Sequence, residues 1–158
     1  MFTDPNKKGN KWEIEQFFET GRIEIELIIN SCHESGIKIS RKTALDFGCG
    51  VGRLSQAMVQ YFETVHGVDI SPSMLKLADK YNQHGSKCKY HLNDQDNLKL
   101  FPDNYFDFIY SKITLQHMEP QYSRRYIREF LRILAPQGLL IFQIPSQSTL
   151  EPAPHNKI

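Results

Sequence analysis

Residues 43–53 read TALDFGCGVGR, a short apolar run that ends in glycines. An apolar run of this length is typical of a buried β-strand, TALDF, and glycine lets the backbone turn sharply after it. The next apolar residues recur at i, i+3, i+4, i+7 and i+8, which is the spacing of one helix face. These residues are Leu54, Ala57, Met58, Tyr61 and Phe62. The segment is therefore predicted to be a strand, a tight glycine turn and a helix.

The same alternation continues along the chain. Helices are predicted after Ser71-Pro72, an N-cap followed by a proline, and over residues 122–134. Strands that alternate with such helices predict an α/β fold, in which a mostly parallel sheet lies between two helical layers. Four further apolar segments predict strands: VHGVDI (65–70), CKYHLN (88–93), FDFIYS (106–111) and LLIFQI (139–144).

The residues before the first strand have helical periodicity. We expect Gly21 to interrupt this helical stretch, because glycine weakens a helix interior. Gly36 stands where a left-handed C-cap would end the second helix. The sequence therefore predicts two helices ahead of the sheet.

Size and charge limit the classes of protein. The chain has 158 residues, 40% of them hydrophobic, and a formal net charge of +1. These values fit one globular domain and give no overall attraction to nucleic acid or to an anionic membrane. Neither a membrane-spanning stretch of ~20 apolar residues nor a signal peptide is recognised, so we expect a cytoplasmic protein. The widely spaced Cys32, Cys49 and Cys88 predict neither a disulfide framework nor a metal site.

The residues that end each predicted strand indicate the ligand. In an open parallel sheet, ligands bind at the carboxyl ends of the strands, where the strand order reverses. The first strand ends in Asp46-Phe47, just before the glycine turn. The second ends at Asp69, roughly 20 residues after Gly48, as expected of an acid that binds the two hydroxyls of a ribose. The third ends near Asp94, whose carboxylate can accept a hydrogen bond from the amine of adenine, so the strand ends predict a nucleoside site.

The glycine spacing separates two kinds of nucleoside cofactor. The nicotinamide or flavin fingerprint GxGxxG would place its third glycine at position 53. That position is Arg53, and the glycine stands at position 52 instead. The spacing therefore disfavours a nicotinamide-dependent oxidoreductase, which stays an alternative.

Four segments, in order, resemble the class I S-adenosylmethionine-dependent methyltransferases. LDFGCGVGRLS resembles the first motif of that family and GVDISPSML its second. NDQDNLKLFPDNYFDFIYSKITLQHM resembles the region of the third and fourth strands, and EFLRILAPQGLLIFQIPS the helix and strand that follow. The resemblance implies a Rossmann-like fold, with S-adenosylmethionine as the cofactor and S-adenosylhomocysteine as the product.

The resemblance also implies a role for each matching position. Asp46, Gly48 and Gly50 would surround the methionine part of the cofactor, and Asp69 would bind the ribose hydroxyls. The remaining positions are as follows: Ile70 and Met74 would flank the adenine, Asp94 and Gln95 would bind its edge, and Ser111 would lie near the sulfonium.

The catalytic residue is less clearly implied, because a sulfonium methyl group is already activated and a base is optional. By position, His117 would border the acceptor pocket, and it is the candidate base together with Tyr110. The implied activity is methyl transfer to a small-molecule acceptor, since the near-neutral charge gives no sign of a nucleic-acid groove. A cofactor-binding module without catalysis is the alternative.

The resemblance divides the chain into three parts. Residues 1–40 are expected to form a helical lid or cap, in which residues 12–18 either fold over the cofactor or pack in the core. Residues 41–146 are expected to form the methyltransferase core, and residues 147–158 an irregular tail.

One departure from the family concerns the end of the sheet. The family sheet normally has seven strands, whereas only a polar, proline-rich stretch follows the fifth here, so strands six and seven are expected to be missing. This favours a fragment or a shortened chain. The fifth strand would then be an apolar edge covered by the tail, by a second copy in a homodimer or by the missing remainder. The turn before it reads Pro-Gln-Gly where the family usually has Pro-Gly-Gly.

Overall fold

Helices and strands alternate through the described part of the chain as predicted, except that residues 93–105 join two strands without a helix. The computed structural model describes residues 13–144, so Trp12 of the expected lid and the tail lie outside the described residues. Short 3-10 turns cover Gly85–Lys87 and Leu115–His117. The elements are α1 (Ile14–Glu34), β1 (Thr43–Phe47), α2 (Arg53–Met58), β2 (Thr64–Asp69), α3 (Pro72–Tyr81), β3 (Cys88–Leu92), β4 (Phe106–Ser111), α4 (Pro120–Ile133) and β5 (Leu134–Phe142).

The five strands form one sheet in the order β3-β2-β1-β4-β5. Each recorded pairing between neighbouring strands is parallel, so the predicted parallel sheet is confirmed. The chain runs outward from β1 through β2 to β3, and then returns to place β4 on the other side of β1. The strand order therefore reverses between β1 and β4, and the carboxyl ends of these strands are where a ligand site is expected.

Helices cover both faces of the sheet. On one face, Ile25 of α1 and Met58 of α2 are fully buried with Ala44 of β1. On the other face, Leu45 of β1 packs with Phe130 of α4. Neighbouring residues of β1 thus enter opposite cores, which is the pleat of a strand buried on both sides. The arrangement is the predicted three-layer, Rossmann-like sandwich.

The expectation that Gly21 interrupts the first helix is wrong. α1 continues through it, and the glycine instead allows close packing against the start of α2. A Cβ atom at Gly21 would lie 2.4 Å from the carbonyl oxygen of Arg53. Gly36 does adopt the left-handed conformation that follows the helix, with φ 71°, and Ile37 N donates to Cys32 O. A glycine inside a helical pattern can therefore mark a contact rather than a break.

β5 begins earlier than predicted, at Leu134. The residues predicted to form a turn ahead of the strand belong to it and form an irregularity. Its pairing with β4 shifts register between Phe106 and Phe108. Gln137, in the Pro-Gln-Gly turn, has φ 66°, a conformation that L-residues adopt at a cost and that glycine adopts freely. The departure from Pro-Gly-Gly thus falls on a residue with left-handed backbone.

β5 stands at one edge of the sheet. No strand of the described residues 13–144 pairs with its outer side. Its residues from Leu139 to Phe142 are only half-buried, whereas nearly all of β4 is buried. An apolar strand in this position has unpaired backbone groups on one side. The described part of the chain, residues 13–144, contains no sixth or seventh strand of this sheet. No helix of that part is long and apolar enough to cross a membrane.

Two histidines pair on the α4 face of the sheet. His66 of β2 is 6% exposed, and its Nδ1 lies 2.8 Å from Nε2 of His91 on β3. The rings of Phe101, Tyr105 and Phe106 contact His66 edge-on. Burial, followed by the positive charges of protonated His91 and of Lys89, lowers the pKa of His66 from 6.5 to about 4.

This pair makes stability depend on pH. A histidine whose pKa is lower in the folded state binds more protons when the protein unfolds. The stabilisation is therefore complete above pH 6.5 and is lost as the pH falls toward 4. We expect His66 to contribute a drop on the order of 2 kcal/mol in the free energy of unfolding between pH 7 and pH 5, measured by urea denaturation of the wild type and of a variant without this histidine. His66→Phe should flatten this dependence, whereas the exposed control His33→Phe should not; an unchanged slope in His66→Phe would contradict the assignment.

Candidate functional site

A cavity of about 560 Å³ opens at the carboxyl ends of the central strands. Its floor is the loop after β1, and residues 112–114, which follow β4, form one side. α1 contributes Phe17 and Phe18, and α3 contributes Met74 and Tyr81. The cavity thus lies at the reversal of strand order, where an open α/β sheet binds its ligand.

The glycine loop that forms the floor needs its glycines for two different reasons. Gly48 has φ 79°, and a Cβ atom there would lie 2.0 Å from Oγ1 of Thr114. Gly50 has φ 54°, but no atom lies within 4 Å of its Cβ position. Gly48 therefore permits close packing between the loops after β1 and β4, whereas the space beside Gly50 is open to a ligand.

Asp46 is a buried carboxylate on the cavity wall. It is 2% exposed, and its Oδ2 accepts a hydrogen bond from Ser55 Oγ at 2.6 Å. Burial raises the pKa of Asp46 to about 6, against the opposing effects of the Ser55 bond and the charge of Arg53. At neutral pH it is mostly ionised in an apolar environment, so it can attract an ammonium group strongly.

Asp69, at the end of β2, connects two loops. Its Oδ2 accepts from Gly50 N at 2.8 Å, and its Oδ1 accepts from Ser71 N at 2.9 Å. Each carboxylate oxygen keeps a further lone pair for a hydroxyl donor. The two motifs that the sequence singled out are therefore in direct contact, although Asp69 is not among the described residues that line the cavity.

The other cofactor residues implied by the resemblance are less closely grouped. Met74 lines the cavity and is 42% exposed, whereas Ile70 is 71% exposed and is not part of the lining. Asp94 and Gln95 are exposed and bonded to each other, Gln95 Nε2 to Asp94 Oδ1 at 2.7 Å. Ser111 is buried, and its Oγ has no hydrogen-bond partner within the described residues. Of these residues, only Met74 belongs to the cavity lining.

Neither candidate base is placed on the cavity lining. His117 ends the short 3-10 turn after β4 and is exposed. Tyr110 is buried, and its hydroxyl donates to Glu24 Oε1 at 2.8 Å. Burial and the bond to Glu24 both raise the pKa of Tyr110. The hydroxyl therefore stays protonated at neutral pH and is not available as a base.

Sequence reasoning missed the polar cluster beside the cavity. Glu24 of α1 accepts from Arg53 Nη2 at 3.0 Å and from Lys112 Nζ at 2.9 Å, and both cationic residues line the cavity. Glu24 is only 17% exposed, and its three donors together lower its pKa against the effect of burial. The one available signal was that Lys112 directly follows Ser111 at a strand end; nothing in the sequence pairs it with Glu24.

The geometry defines an open α/β domain with a cavity at the reversal of strand order, and comparison with known proteins gives its family. Residues 45–142, well over half of the chain, match the family described as methyltransferase domain. The chain belongs to this family and is a class I S-adenosylmethionine-dependent methyltransferase domain, as the resemblance implied. The cofactor of the family is S-adenosylmethionine, so that expectation is confirmed as well.

Individual relatives agree with this assignment. The chain is 33% identical over 112 residues to phosphoethanolamine N-methyltransferase 3 of Arabidopsis thaliana, covering 70% of this chain and 22% of that enzyme. It is 32% identical over 111 residues to the ubiquinone biosynthesis O-methyltransferase of Coxiella burnetii, covering 69% of this chain and 46% of that enzyme. A structure from Methanococcus maripaludis, described as a candidate S-adenosyl-L-methionine-dependent methyltransferase, shares 26% identity with a TM-score of 0.68, covering 82% of this chain and 58% of that one.

The position of Asp69 predicts that its charge contributes to binding of S-adenosylhomocysteine. Asp69→Asn removes the charge that strengthens hydrogen bonds to the ribose and keeps the size of the side chain. We expect affinity for S-adenosylhomocysteine to fall more than tenfold, since hydrogen bonds to a charged group contribute about 1.5–3 kcal/mol. Isothermal titration calorimetry measures the change, with Asp79→Asn, an exposed aspartate on α3, as the matched control. Equal affinities for the two variants would remove Asp69 from the site.

Proposed function

We propose that this protein transfers a methyl group from S-adenosylmethionine to a small-molecule acceptor. The observation that carries the proposal is the contact between Asp69 and Gly50 beside the buried Asp46, at the reversal of strand order. The chain spans 22% and 46% of the two relatives compared above, so the activity of the whole protein belongs to the proposal.

The chemistry of the donor groups fits this cofactor. In the proposal, Asp46 attracts the methionyl ammonium group, and the loop from Gly48 to Gly50, with the open space beside Gly50, surrounds the methionine chain. Asp69 accepts from the ribose hydroxyls, while Ile70 and Met74 flank the adenine. Asp94 and Gln95 bind the adenine edge, which requires their mutual hydrogen bond to open. Ser111 lies near the sulfonium in the proposal. Its buried hydroxyl, which has no partner among the described residues, supports this position.

S-adenosylmethionine, when bound, supplies a methyl group that its sulfonium already activates. The protein's task is then to hold the acceptor in line with the bond that breaks and to exclude water. Phe17 and Phe18 provide an apolar wall for this purpose, which supports the proposal that α1 acts as a cap. No base from the described lining is required if the acceptor is a neutral amine. A role for His117 would require movement of the turn that carries it, and it stays a prediction.

Three further expectations stay predictions: the kind of acceptor, association with a second copy and the cytoplasmic location. The relatives named above are called a phosphoethanolamine N-methyltransferase and an ubiquinone biosynthesis O-methyltransferase, and their names support a small-molecule acceptor rather than nucleic acid. Association with a second copy through β5 is supported by its unpaired outer edge among the described residues. The cytoplasmic location expected from the sequence is not tested by this geometry. A binding module without catalysis is the second candidate, because neither His117 nor Tyr110 belongs to the described cavity lining.

Cofactor choice is tested by calorimetric titration of the purified protein. We expect S-adenosylhomocysteine to bind and NAD to give no heat, because the glycine spacing and the family both indicate the former. Binding of NAD alone would overturn the proposal and restore the oxidoreductase alternative.

Catalysis is tested with S-adenosylmethionine that carries a labelled methyl group. We expect label to reach a small molecule when the protein is incubated with phosphoethanolamine and, separately, with a protein-free metabolite extract. Asp46→Asn, which removes the buried charge, should lower transfer by tenfold or more. S-adenosylhomocysteine binding without any transfer from the full-length protein would favour the binding module.

A further inference from the structure

The cationic side of the cavity holds two positive side chains, Arg53 and Lys112, which differ in exposure and in the number of bonds that they make. Arg53 is 14% exposed, and its guanidinium donates to Thr20 Oγ1 at 3.2 Å and to Glu24 Oε2 at 3.0 Å. These bonds direct its donors toward α1. Arg53 therefore connects two helices and has a structural task already.

Lys112 lies in a different situation. Its side chain is 35% exposed on the cavity wall, and Glu24 Oε1 at 2.9 Å is the one acceptor recorded for its ammonium group among residues 13–144. An ammonium group has three N–H donors, so two remain for a ligand. The bond to Glu24 also restricts the flexible side chain, which lowers the entropy lost when a ligand binds.

Charge counting points to an anionic ligand. The carboxylate of Glu24 is shared among Arg53, Lys112 and the hydroxyl of Tyr110, so it balances only one of the two cations. The remaining charged group of the described lining is Asp46, which is bonded to Ser55. One wall therefore keeps an excess positive charge, whereas Asp46 offers a negative one.

We propose that Lys112, held in place by Glu24, binds a small anionic group, a carboxylate or a phosphate, of a molecule in the cavity. The inference rests on the proposed function and deepens it by adding an anion-binding residue. Such a group has two sources: the carboxylate of the methionyl part of the cofactor, or an anionic group on the acceptor. Arg53 is the less accessible of the two cations, because its side chain is 14% exposed against 35% for Lys112 and it is bonded to two residues of α1.

Two ligands that differ only in the amino-acid part separate these sources. S-adenosylhomocysteine carries the carboxylate, and 5′-methylthioadenosine lacks the whole amino-acid group. Calorimetric titration of both, with the wild-type protein and Lys112→Met, measures the effect of the ammonium on each. If the cofactor carboxylate is the partner, Lys112→Met weakens S-adenosylhomocysteine binding about tenfold and leaves 5′-methylthioadenosine binding unchanged. Lys112→Arg restores most of the loss because it restores the charge.

The acceptor source gives a different result. Lys112→Met then leaves both nucleosides unchanged but weakens binding of phosphoethanolamine to the S-adenosylhomocysteine complex about tenfold. Lys99→Met, a change of an exposed lysine outside the cavity lining, serves as the matched control and should alter none of these affinities. Thermal unfolding of each variant shows that the fold is kept.

The inference is overturned if S-adenosylhomocysteine binds wild type and Lys112→Met equally and no phosphoethanolamine binding depends on Lys112. A parallel loss for both nucleosides also overturns it, because 5′-methylthioadenosine offers no carboxylate. Failure of the wild-type protein to bind either nucleoside is a different outcome, since it removes the proposed function itself.

Discussion

The carboxylate of Asp69 accepts hydrogen bonds from Gly50 N and Ser71 N, and the site depends on this contact. It fixes the loop after β1 against the start of α3, although the two lie far apart in the chain. Backbone N–H groups that point at one carboxylate hold a loop in one conformation more firmly than side-chain packing alone, since bonds to a charged group are among the stronger ones. The open space beside Gly50 is a consequence of this arrangement.

A second constraint comes from α1, which closes the cavity from outside the sheet. Gly21 lets the helix approach Arg53, and Glu24 then reaches the cations at the cavity wall. The packing of the helix and the charge of the site are therefore linked, because the residue that anchors α1 also sets the position of Lys112. A substitution at Gly21 or Glu24 therefore alters the site, although neither residue belongs to the described cavity lining.

The fold was largely predictable because its signals are local. Alternating apolar runs located all five strands, and Ser71 caps α3 as predicted by accepting from Met74 N. The sites of Asp46 and Asp69 followed from their places at strand ends, since parallel strands bring those ends together. The prediction at Gly21 was wrong because this glycine allows a close contact with Arg53, more than thirty positions away. A local sequence pattern does not contain that information.

Periodicity and motif spacing were enough to predict a parallel sheet and the family, because both are properties of residues close together in the chain. The residues that line the cavity became known from the packing of the elements. This packing separated Met74 from the exposed Asp94 and Gln95, and it brought Glu24 to Lys112. The physical reason is that burial and ion pairing depend on distances between elements, and these distances are set when helices pack on the sheet.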